Sequence, residues 1–137
     1  MDNVLIDTDV ILDFFFDRKP YSDDAIKLLS LCEEEIINGY CTPVIISNVY
    51  YILRRTAKHD YIIDKLTTLL SIISILEMDQ TVVMNALNSE FKDFEDALQN
   101  YAAVKSEKID TIITRNTKDY KKSEIGVMTP ESYLKIR

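Results

Sequence analysis

A chain of 137 residues that is 47% hydrophobic and 28% charged is one domain of ordinary size, with a core that excludes both intrinsic disorder and dependence on staples. A net charge of −7 excludes a protein that coats nucleic acid through clustered Lys and Arg, yet acid gathered in one pocket leaves room for a metal-dependent nuclease. No apolar run approaches the ~20 residues of a bilayer span, and no basic segment leads into a signal-like apolar one. The expectation is therefore a cytoplasmic protein with no membrane partner, forming a single domain over residues 1–137.

The chain opens on its most informative stretch, Asn3 to Phe16. Val4, Leu5 and Ile6 run apolar without alternation, which predicts a strand covered on both faces of a parallel sheet. Asp7 sits at the strand's carboxyl end, where open α/β sheets place ligands, with Asp9 two residues on. Two carboxylates there repel unless a cation neutralises them, so they suggest a divalent-ion site. Asp7 or Thr8 is equally suited to capping the helix that begins near Asp9.

Val10 to Phe16 reads as a short helix broken at Arg18-Lys19-Pro20, and Ser22 starts another with Ala25, Leu28, Leu29, Cys32 and Ile36 on its buried face. Gly39 suits that helix's C-terminal cap. Tyr40 to Thr42 is the second expected strand, and Pro43 leads into a helix on which Asn48, Tyr51, Ile52 and Arg55 share a face. A helix from about Tyr61 carries Ile62, Leu66, Leu69, Leu70 and Ile73, and Ser74 to Met78 is a third strand. Asp79 caps a helix containing Val82, Val83, Ala86 and Leu87. The acidic run Phe91 to Leu98 opens a further helix expected to turn Phe94, Ala97, Leu98 and Tyr101 to the core. Ile109 to Thr114 and Gly126 to Met128 complete the strands, and Thr129-Pro130 starts the last helix. Alternating strands and helices predict an α/β fold, a parallel sheet covered on both faces. Cys32 and Cys41 lack zinc-site spacing and read as buried thiols, and His59, the only histidine, falls in a connection.

Three polar clusters lie at strand ends or helix starts: Asp7 with Asp9, then Asp93 with Glu95 and Asp96, then Asn116 with Asp119. If they meet, their carboxylate and amide oxygens form the hard donor set that Mg²⁺ and Mn²⁺ prefer. Singly, each has a plainer role: Asp93 with Asp96 resembles a capping box, and Asp119 a solvated loop acid. Arg115, Lys118, Lys121 and Lys122 make a basic stretch beside the last cluster, suited to the phosphates of a bound strand, and Arg55 is a weaker candidate of the same kind. No Gly-rich phosphate loop is present, and Ser or Cys nucleophile schemes lack a base.

Leu5 to Asp13, Phe94 to Gln99 and Ile112 to Tyr120, in this order and spacing, resemble the PIN domain family. The resemblance covers nearly the whole chain and implies a three-layer sandwich, with a central parallel sheet of four to five strands flanked by helices. It also implies metal-dependent endoribonuclease cleavage of RNA, an antitoxin partner as for the VapC-like toxins among its small bacterial members, and a homodimer. The family's first acid matches Asp7, and its usual Asn two residues on is Asp9 here. Its later helix-opening acid matches Asp96, with Asp93 beside it. Two positions depart. Asn48 stands where the family commonly has Glu, and Asn116, after Thr114, where it commonly has Asp, with Asp119 the nearest carboxylate. An amide oxygen still ligates or orients water but attracts a cation less and cannot serve as a base.

On this reading Asp7 and Asp96 bind Mg²⁺ or Mn²⁺, while Asp9, Asp93 or Asp119 completes the shell or orients water. Two alternatives remain open. A PIN fold with Asn48 and Asn116 could bind RNA or protein without cutting. Asp7-Thr8-Asp9-Val10 also fits the nucleophile motif of haloacid dehalogenase-type phosphatases, although the later lysine and paired Asp of that family are not found.

Overall fold

Val4, Leu5 and Ile6 are fully buried in succession, so the first strand, β1 (Asn3–Ile6), is covered on both faces as its unbroken apolar run requires. A computed structural model describes residues 1–137 and places β1 at the centre of five parallel strands. The others are β2 (Asn38–Cys41), β3 (Ser74–Ile75), β4 (Thr111–Ile113) and β5 (Gly126–Met128). Between and after them come α1 (Thr8–Phe16), α2 (Tyr21–Glu33), α3 (Pro43–Leu53), α4 (His59–Leu69), α5 (Gln80–Leu87), α6 (Phe94–Ser106) and α7 (Pro130–Lys135), which flank the sheet. A 3₁₀ turn spans Thr117–Tyr120. This is the expected α/β architecture.

Strand order is β3-β2-β1-β4-β5, all pairs parallel. Leu5 aligns with Tyr40 on one side and Ile112 on the other. The chain lays β2 and β3 outward from β1, then crosses back to build β4 and β5 on the opposite side. That reversal leaves a crevice at the carboxyl ends of β1 and β4, the place where sheets of this kind bind ligands. Thirty buried hydrophobic residues form one continuous core around the sheet.

Several boundaries differ from the sequence expectation. α1 begins at Thr8, with Asp7 as its N-cap, so the capping role falls on the residue also expected to bind a cation. Gly39 lies in β2 and caps no helix; a Cβ there would stand 2.7 Å from both Cys32 Sγ and Ile73 Cγ2, so its place is set by packing. α2 ends at Glu33, leaving Ile36 exposed beyond it. β2 starts earlier than Tyr40, and Thr42 becomes the N-cap of α3. β3 is a two-residue edge strand rather than a run to Met78, and β4 is confined to Thr111–Ile113. Phe94 is exposed, because the first turn of α6 points its acids and Phe94 outward and only from Ala97 does the helix bury a face. Leu70 and Leu87, at helix ends, are exposed too. His59 belongs to α4 and its Nδ1 lies 2.8 Å from the Tyr50 hydroxyl.

Candidate active site

The parallel ladder carries the first acid into the crevice. The Asp7 amide donates to the Ile113 carbonyl at 3.0 Å, continuing the β1–β4 pairing one residue past the strand. Asp7 Oδ1 accepts from the Thr8 amide at 2.8 Å, the capping bond, and Oδ2 accepts from the buried Tyr120 hydroxyl at 3.2 Å. Burial raises the Asp7 pKa, while hydrogen bonds from Thr8, Thr114 and Tyr120 pull it down, and Asp119 adds repulsion.

Asp9, in the first turn of α1, reaches across to the end of β4. Its Oδ2 accepts from the Arg115 amide at 3.0 Å and from Thr114 Oγ1 at 3.3 Å. Its Oδ1 is buried with no hydrogen-bond partner. Burial and then the charge of Asp7 push its carboxyl up to about 6. A carboxylate oxygen buried without a donor is costly, and the cost is relieved by a proton or a cation.

The second cluster arrives on α6. Asp93 caps that helix by accepting from the Asp96 amide at 3.0 Å, the N-cap half of the capping box read in the sequence; the Asp96 side chain makes no return bond to the Asp93 amide. Burial, then Asp93, Asp7 and Asp119 in that order, push the Asp96 carboxyl up to about 7. Asp96 thus feels acids from the other two clusters. Asn48 on α3 donates to Glu95 Oε2 at 2.9 Å.

Asp7, Asp9, Asp96, Asn48, Arg55 and Asn116 line one open cleft of about 440 Å³. Asp93, Asp119, Lys118, Lys121 and Lys122 line an adjoining cleft of about 440 Å³, with Asp96 common to both. Arg115 lies apart. Its guanidinium grips Asp13, with Nε 2.7 Å from Oδ2 and Nη2 3.1 Å from Oδ1, and stacks on the Tyr21 ring at 4.0 Å. It borders neither acidic cleft but a smaller hollow with Tyr21, Asp24 and Thr129, so its expected place on a bound strand is taken by an internal ion pair. Thr114 is fully buried and acts through Asp9.

No three acidic groups close into a ready-made cage for a cation. No Lys or Arg forms a salt bridge with Asp7, Asp9 or Asp96 either; the ion pairs lie elsewhere. Carboxylates raised by burial and then by mutual repulsion, one of them with an orphaned buried oxygen, suit a hard divalent cation by donor chemistry.

Sequence reasoning missed Tyr120 and gave no role to Asp13. Nothing in a single sequence reports where a phenol points. Asp13 did carry a signal, since it lies four residues after Asp9 on the same face of α1.

Fold and cleft define an α/β protein with an acidic centre at its topological switch point. Within that class the chain belongs to the PIN domain family, whose sequence model matches residues 3–118. Among solved structures it is similar to VapBC2 from Rickettsia felis bound to a promoter DNA fragment, at 16% identity and TM-score 0.67, over 92% of this chain and 96% of that one. A toxin-antitoxin complex from Klebsiella pneumoniae gives 23% identity and TM-score 0.67, over 93% and 97%. VapC20 from Mycobacterium tuberculosis, a toxin that cleaves the sarcin-ricin loop, gives 12% and 0.61, over 80% and 86%. At such identities the likeness is one of fold. No curated protein matches the chain.

Proposed function

We propose that this protein is an endoribonuclease dependent on Mg²⁺ or Mn²⁺, and the toxin of a toxin–antitoxin pair. The observation that carries the proposal is the unpartnered, buried Oδ1 of Asp9 in the cleft it shares with Asp7 and Asp96. The family assignment supports it, as do the toxin–antitoxin complexes among the similar structures.

Asp7, Asp9 and Asp96 would hold the cation, with Asp119 and the Asn116 amide completing its surroundings. A cation held by these residues would supply a water of lowered pKa and charge to offset that developing on the phosphate, so the chain would need no histidine base. The chain's own residues do the rest. Tyr120 and Thr8 orient Asp7, Arg115 and Thr114 orient Asp9, and Asp93 holds the Asp96 amide through the helix cap. Asp93 or Asp119 would orient the attacking water, a task an asparagine at 116 would perform only as a hydrogen-bond partner. Lys118 and Lys121 on one side and Arg55 on the other would meet the flanking phosphates. The protein would act in the cytoplasm, as a homodimer restrained by its antitoxin.

Purified protein with Mn²⁺ should cleave single-stranded RNA, and Asp7→Asn should abolish cleavage; equal cleavage by the variant would expose a contaminating nuclease. The Asn48–Glu95 hydrogen bond favours a second reading, because an amide occupies a position where a carboxylate would draw the cation in. On that reading the fold binds RNA or protein without cutting, and calorimetry with Mn²⁺ finds no site.

A further inference from the structure

We infer that Asp13 and Arg115 form a clasp that positions Asp9 and Asn116, making both of them positioning residues for the reaction proposed above, on which this inference rests. Asp13 is 1% exposed, a place where a carboxylate persists only if it is paired. Arg115 meets it with a two-bond fork, and Arg18 Nη1 lies 3.6 Å from its Oδ1. The Tyr21 ring closes the third side of the guanidinium. The fork ties the middle of α1 to the residue just past β4, two segments 102 residues apart.

The same Arg115 that is clamped by its side chain offers its backbone N–H to Asp9 Oδ2. Thr114 Oγ1 donates to that oxygen as well and accepts from the Asn116 amide at 3.1 Å. One carboxylate oxygen of Asp9 is therefore spent on the end of β4 and the other is left bare. The Thr114 amide is anchored to the Met128 carbonyl at 3.0 Å, so the fork is the side-chain tie that keeps Arg115, the residue after that anchor, against α1 with its N–H on Asp9. Groups that orient metal-binding carboxylates contribute about 10–100-fold to affinity or activity when removed.

Three full-length variants test this: Arg115→Lys, Asp13→Asn and the apolar pair Asp13→Leu with Arg115→Met. The apolar pair removes the fork without leaving a lone buried charge, so it keeps the fold if either single variant loses it. Amide hydrogen exchange at Arg115 should accelerate about tenfold or more while Leu5 and Ile112 keep their protection. Affinity for Mn²⁺ and kcat on single-stranded RNA should each fall about tenfold, with KM unchanged to within about twofold. Unchanged exchange at Arg115, or wild-type kcat and Mn²⁺ affinity in a folded variant, would overturn the clasp. So would a rise in KM alone, which assigns Arg115 to the RNA. Should the wild type fail to cleave, the nuclease reading falls, and the exchange rates decide the clasp on their own.

Discussion

Tyr120 and Asp7 stand 113 residues apart in the chain, yet the Tyr120 hydroxyl donates to Asp7 Oδ2 inside the protein. The phenol is almost wholly buried, and burial, then Asp7 and Asp96, hold its proton on far above the ordinary tyrosine range. It is therefore a permanent donor, and a donor to a carboxylate favours the charged form. Tyr120→Phe keeps the packing against Phe91 but removes that donor. The variant should lose about 1–3 kcal/mol of stability at neutral pH, measured by urea unfolding, and bind Mn²⁺ several-fold more weakly. An unchanged midpoint and affinity would show the hydrogen bond to be idle.

Burial of the acids, together with their mutual repulsion, has a pH signature. Asp96 titrates at about 7 in the folded chain against 3.8 for the unperturbed group. Between those values the folded chain holds a proton that the unfolded chain lacks, so this contribution to stability falls as pH rises through the window and is fully present only below it. Asp96→Asn should therefore melt higher than the metal-free wild type at pH ~7.5, by on the order of 1 kcal/mol once partial solvent screening is allowed for, and equally with it near pH ~4. Thermal melts across that range, with a chelator present, measure it. A gain that is constant with pH would mean that Asp96 carries no elevated proton affinity.

Lys118 and Lys121 line the acid-rimmed cleft and make no salt bridge, so they remain available to phosphate. Lys118→Ala and Lys121→Ala should each raise KM for RNA and lower the slope of log affinity against log salt by about 1, with kcat little changed. Filter binding over a salt series reads this directly. Slopes equal to wild type would place the strand elsewhere.

Away from the site, Gly39→Ala should destabilise the fold by about 1–3 kcal/mol, because the new methyl meets Cys32 Sγ and Ile73 Cγ2 at 2.7 Å. Mn²⁺ affinity of the folded fraction should stay at the wild-type value. Denaturant midpoints and calorimetry on one preparation separate the two effects.

How far the chain could be read ahead depended on the range of the interaction involved. Periodicity is local, so the alternating strands and helices, the unbroken Val4–Ile6 run and the Asp79, Asp93 and Thr129 caps were legible without coordinates. Gly39 was misassigned because its reason lies in Cys32 and Ile73, which a cap argument never consults. Phe94 was expected inside because helical spacing names a face but not which turn first meets the core.

The amino-acid order alone determined that this is a parallel α/β chain with acids at Asp7, Asp9, Asp93, Asp96 and Asp119, since strand patterning and residue chemistry are written in consecutive positions. Only the tertiary structure decided which of them share a cleft, that Arg115 turns inward to Asp13, and that Tyr120 reaches Asp7. Those outcomes hang on distances between segments about a hundred residues apart, set when the crossover places β4 against β1.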